Sequence, residues 1–278
     1  MTNSSLISAT ASKAARLALA PLMAGLVAGL VAVPQARAAA DPPVAELLQH
    51  IGKQVEKFWT NFASVTCTES VNQSKLGEKN KVLFVQRQTF DYLIALQSSG
   101  QEISVDESRV EKVRAGSKGT KVSLLETNGF GIFSLIFHPL YQSPYQFQLL
   151  PDEYVQNHRL ICLNFQQVSR DHPLSVLRLR ELEYPLEWRG KAWIDPVTWS
   201  VARIQAGLGD SRKDIGLLRL DADVTYSDVH FGGTAAYSLP ALAIIDAETK
   251  RQHWHNTHAF TGYKRFTVDT DVKIGTPQ

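Results

Sequence analysis

Two cysteines in 278 residues, Cys67 and Cys162, set the first limits on this chain. They exclude a disulfide-dense scaffold and any cysteine-rich metal site. Two readings of the pair stay open. In an exported chain they can close a long loop worth about 3–5 kcal/mol, or they can be two separate buried thiols that pack as small apolar groups. Catalytic signatures are absent as well. There is no GxSxG elbow, no Walker A loop, no HExxH, no CxxC and, beyond the first segment, no S-x-x-K. Gly129-Phe130-Gly131 lacks the third glycine and the strand–helix setting of a dinucleotide fingerprint. Charge of one sign is lacking too, since the net charge is +2. Lys13, Arg16 and Arg37 carry that excess at the N-terminal end, and without residues 1–38 the balance is −1. A near-neutral chain argues against nucleic acid as a partner.

The one long apolar run, Leu17–Val33, follows a basic start and precedes Ala36-Arg37-Ala38, a small-x-small pattern. Residues 1–38 are therefore expected to be a secretory signal peptide on the general export route, with the mature chain periplasmic or otherwise exported. The alternative is an uncleaved anchor near the lower length limit of a spanning helix. No cysteine stands near the cut for lipid attachment, and no twin arginine precedes the run.

Beyond the leader, Asp41–Phe62 predicts an amphipathic helix. Val44, Leu47, Leu48, Ile51, Val55, Phe58, Trp59 and Phe62 share one face, with Pro42 and Pro43 in its first turn. From Ser64 the period changes to two. Strands are expected at Val65–Lys75, Val82–Gln97, Glu102–Val113, Tyr145–Leu150, Arg159–Val168, Leu174–Tyr184, Trp188–Ile194, Trp199–Ala206, Leu218–Tyr226, Thr234–Ala243, Thr249–Ala259 and Tyr263–Val272. Asp195-Pro196-Val197-Thr198 marks a tight turn, because Pro196 pre-sets φ and the Asp195 carboxylate can bond following amides. Asn128–Tyr141 is apolar nearly all round and predicts a short helix or buried loop across the sheet. The fold class expected is mainly β with a few helices, an incomplete antiparallel barrel of about ten strands with residues 39–278 as one domain.

Constellations with chemistry are few. His253, His255 and His258 cannot all face one metal on a regular strand, because His258 falls on the opposite side. Glu181 and Glu183, two apart on one strand, suit a solvated charged face with Arg178 and Arg180 better than a hydrolase pair. What accumulates is apolar surface, at Phe84, Phe90 and Tyr92, at Leu218, Leu220 and Val224, and at Phe130, Phe133 and Phe137. More of it is present than one helix can cover, which points to a cavity or lid for a hydrophobic ligand. The runner-up is an envelope sensor that binds a protein partner along an edge strand at Thr249–Ala259.

Three stretches carry a resemblance. They are Lys57-Phe58-Trp59 running into Thr66-Cys67-Thr68-Glu69, the hairpin Gly190-Lys191-Ala192-Trp193-Ile194-Asp195-Pro196-Val197-Thr198, and the closing Trp254-His255-Asn256 with Tyr263-Lys264-Arg265-Phe266. Together they resemble the periplasmic lipoprotein-carrier superfamily of LolA/LolB-like and RseB-like proteins, in which a G-x-x-W-[IV]-D-P-x-T hairpin recurs within an incomplete barrel. The resemblance implies a non-catalytic binder of a lipid or a lipoprotein acyl chain. Beside it, no cofactor and no metal are expected, an envelope protein is the further partner, and membrane contact is expected to be transient at most.

Overall fold

The computed structural model describes residues 42–61, 64–99, 102–112, 132–169, 176–179 and 182–265. Expectations for residues 1–38, Phe130, Glu181 and the chain after Arg265 lie outside these.

Helix α1 spans Pro42–Asn61. Its two prolines sit in the first turn, where a missing N–H leaves no helical bond unmade. Val44, Leu47, Leu48, Ile51, Val55 and Trp59 are buried along one stripe. The strands are β1 (Ser64–Leu76), β2 (Val82–Ser99), β3 (Glu102–Glu111), β4 (Tyr145–Val155), β5 (His158–Gln167), β6 (Val176–Leu179), β7 (Leu182–Pro185), β8 (Trp188–Ile194), β9 (Val201–Leu208), β10 (Leu217–His230), β11 (Ala236–Thr249) and β12 (His253–Arg265). Ten of them form one antiparallel sheet in the order β3-β2-β1-β12-β11-β10-β9-β8-β5-β4. The sheet is open, with β3 and β4 as its edges, and its concave face holds α1 and a 3-10 turn at Ile132–Phe137. This is the incomplete barrel with a helix and a short middle turn that the alternation predicts.

Three local departures have physical reasons. The single strand expected at Leu174–Tyr184 is the two-stranded hairpin β6–β7. Its leucines change parity between Leu179 and Leu182, a slip that a straight strand cannot hold. The two strands expected at Thr249–Ala259 and Tyr263–Val272 are one strand, β12. Gly262, at φ +66°, is a bulge against β1 rather than a turn, because β12 pairs with β1 on both sides of it. Strand β12 is therefore internal, between β1 and β11, and is not the edge that a partner strand would need. Pro240 stands where the β10–β11 register shifts, and a bulge is where a proline is tolerated inside a sheet.

The Asp195 hairpin closes as the sequence predicts. Asp195 Oδ1 accepts from Val197 N (2.7 Å) and Thr198 N (3.0 Å), and Oδ2 meets His158 Nε2 at 2.9 Å. Burial works against its charge, yet these bonds hold the carboxyl below its ordinary range. Gly190 is obligatory here. A Cβ on it would lie 1.9 Å from the Gln205 carbonyl oxygen, so the β8–β9 pair closes to a distance that only glycine permits.

Cys67 and Cys162 are free and both buried. The disulfide alternative does not hold, because five strands separate β1 from β5 in the sheet and a bridge needs Cα atoms within about 7 Å.

Candidate functional site

The candidate site is the concave face. One register row crosses it as Leu163–Ala192–Ile204–Val224–Ala243–His258–Val71. The next row runs Phe165–Gly190–Ala206–Ala222–Ile245–Asn256–Gln73–Gln86. Both rows are apolar from β5 to β11 and meet polar residues at β12, where the first goes on to Val71 and the second to Gln73 and Gln86. Glu69, Gln73, Gln86, Asn256 and His258 are all buried there. The face thus has an apolar half and a mixed one, the polar half, in which these polar groups stand among buried Cys67, Val71, Tyr92, Ile94 and Phe260.

The apolar half is covered by α1 and the 3-10 turn. Phe133 meets Trp188 edge-on at 5.0 Å, and Phe137 lies 5.6 Å from Phe147. Gln142 Nε2 donates to Phe137 O (2.6 Å) and Leu48 O (3.2 Å), tying turn and helix together. Trp199, at φ +59°, stacks on His50 of α1 at 4.7 Å. The left-handed region is uncommon for so bulky a residue, so the hairpin tip carries backbone strain at the residue that touches the helix. A hollow of about 30 Å³ remains under the C-terminal half of α1, lined by Val55, Phe58, Val201, Tyr226, Ser134 and Ser238. A larger, open hollow of about 620 Å³ lies on the opposite face of the sheet, among polar groups that include Arg189, Lys191, Gln205, Asp221 and Asp223. Many of its charges are already paired, as in Arg203–Asp223 and Lys191–Glu153, and it does not suit an apolar chain.

The polar half centres on Glu69. Arg109 grips it in fork geometry, Nε to Oε2 at 2.5 Å and Nη2 to Oε1 at 2.9 Å, and His258 Nδ1 stands 2.8 Å from Oε1. Arg109 also covers the Tyr92 ring at 4.6 Å. Burial raises the Glu69 carboxyl, but the bonds from His258 and Arg109 outweigh it and hold the group below its ordinary range. Burial holds His258 below its own, with Glu69 opposing. A neutral His258 that donates Nδ1–H to the carboxylate adds no charge to the Arg109–Glu69 pair, and the Glu107 carboxylate also acts on Arg109 and Tyr92. Both amide atoms of Gln86 are buried without a hydrogen bond, an arrangement that is costly unless a polar partner can be accepted. Burial pushes the Cys67 thiol up to about 12, so it is no thiolate nucleophile.

Of the residues singled out from sequence, Tyr92, Phe133, Phe137 and Val224 lie in the main core, and Leu220 packs against it. Phe84 is exposed at the far end of β2, while Phe90 and Leu218 are half-buried. His253 and His255 face away from His258, toward Asp246, as the strand parity requires. Among the described residues no group of three or more His, Cys, Asp or Glu is placed to hold a metal ion, and no helix is long and apolar enough to cross a membrane. Sequence reasoning missed Glu69 and Arg109, and weighed His258 only as a metal ligand. A signal existed, since Glu69 shares parity with Val65, Cys67 and Val71, and a carboxylate on an apolar face must find a partner.

No family model matches the chain, and no curated protein does. Among solved structures it is similar to a LolA superfamily protein from Nitrosomonas europaea, at 10% identity over 80% of this chain and 94% of that one, with a TM-score of 0.36. It is similar to a DUF1329 family protein from Desulfovibrio piger, at 10% identity over 82% and 95%, with a TM-score of 0.44. It is also similar to the Pseudomonas aeruginosa MucA/MucB complex structure, at 6% identity over 78% and 93%, with a TM-score of 0.23.

Proposed function

We propose that the protein is a non-catalytic binder of an amphipathic lipid or of a lipoprotein acyl chain. In this reading it is exported by a signal peptide at residues 1–38 and works in the periplasm through one half-barrel at residues 39–278. The observation that carries the proposal is the division of the concave face. An acyl chain lies along the apolar half in place of α1, and its polar end meets Gln86, Asn256 and the Arg109–Glu69–His258 cluster. The exchange is balanced in size. Six buried α1 side chains at about 1.5–3 kcal/mol each are matched by a chain of about sixteen methylenes at about 0.8 kcal/mol each. The reading of a protein partner added to Thr249–Ala259 is not favoured, because its strand part, His253–Ala259, is paired on both sides.

Native mass spectrometry of protein recovered from the envelope tests the proposal, together with titration of a fluorescent acyl probe. Bound lipid and probe enhancement are expected. Protein that carries no lipid and leaves the probe unchanged overturns the reading.

A further inference from the structure

At the far end of β2 the chain carries a patch that the core does not use. Val82, Leu83, Phe84 and Val85 are 53%, 60%, 37% and 43% exposed. Successive strand residues point to opposite faces, so four exposed neighbours mean that both faces of this hairpin end are apolar and wet. The strand enters the body of the protein only at the buried Gln86. Strand β3 pairs with β2 from Phe90 onward, so before that point β2 is paired, among the described residues, with β1 alone. Leu83 lies across Gly77, where a Cβ would come within 2.9 Å of its Cδ1. Around the patch stand three exposed cations, Lys79, Lys81 and Arg87, and between Gly77 and Phe90 one acid, Glu78.

We propose that this hairpin end docks the protein on an anionic lipid surface. Val82–Val85 enter the headgroup boundary, while Lys79, Lys81 and Arg87 hold headgroup phosphates. The geometry favours a bilayer over a protein. A peptide added to the strand edge satisfies the backbone but leaves both side-chain faces in water, and a single partner surface covers one face. A lipid boundary surrounds both. The charge is also of the complementary sign. Docking here does not depend on what the concave face holds.

The test is co-sedimentation of the purified protein with phosphatidylcholine vesicles, with and without phosphatidylglycerol. Binding to the anionic vesicles that weakens with salt is expected. Lys81→Gln with Arg87→Gln should reduce it by about fivefold per cation. Leu83→Glu with Val85→Glu should abolish it, with melting temperature unchanged because both side chains are exposed. Leu17–Val33 is apolar too, so the difference between wild type and variants decides. Equal sedimentation of all forms overturns the proposal. So does absence of binding to anionic vesicles, or a patch-dependent dimer or peptide complex formed without vesicle binding.

Discussion

Glu69 decides much at the scale of single residues. It is fully buried, yet ionised, because Arg109 and His258 supply three short bonds. Removing one member of such a cluster strands a charge, so Glu69→Ala should cost about 3–5 kcal/mol in denaturant unfolding. Replacing Glu69 and Arg109 together by Gln and Met should cost far less. The pH dependence follows from the same contacts. His258 and Glu69 both titrate lower in the folded state than at their ordinary values of 6.5 and 4.5. The unfolded chain therefore takes up protons first as pH falls, and stability rises with pH across that window. Unfolding midpoints measured from neutral pH downward should fall, first below 6.5 and more steeply below 4.5, and the double replacement should flatten the curve.

Elements add constraints that no single residue shows. The β8–β9 pair is built around Gly190, and the overlap that a Cβ would make is with backbone, which cannot rotate away. Gly190→Ala should cost about 1–3 kcal/mol, toward the upper end, and a thermal midpoint equal to the wild type would remove the close-packing account. The 3-10 turn at Ile132–Phe137 offers a second check. Phe133 is in the core against Trp188, so Phe133→Asp buries a carboxylate and should unfold the protein or cost several kcal/mol. A variant that melts like the wild type but binds the acyl probe less well would mean instead that this segment opens in solution.

For the molecule as a whole, the question is whether α1 is core or cover. Its seat is apolar, and the strained Trp199 stack on His50 is among the ties that hold it. A cover held in this way should loosen before the sheet does. His50→Ala removes the stack, worth about 0.5–1.5 kcal/mol, and should speed acyl-probe uptake while lowering the melting temperature only slightly. Stopped-flow mixing with the probe reads the rate directly, and unchanged uptake with a lowered melting temperature would make α1 plain core.

The alternating strands, the amphipathic helix and the Asp195 turn were legible because each is a local pattern. Period two, period 3.6 and a proline after aspartate act over a few residues, and they place β8–β9, α1 and the open antiparallel sheet correctly. Parity alone also put His253 and His255 on one side and His258 on the other. What parity cannot say is which strands become neighbours. Only the closed register set Glu69 beside His258, 189 positions away in the chain, and Arg109 over Tyr92. It also turned Gly262 from an expected hairpin into a bulge, made β12 internal rather than an edge, and held Cys67 and Cys162 apart. A residue's face is a property of its own strand. Its partners depend on the order of ten strands in one sheet, and that order is settled by burying one shared concave face under α1.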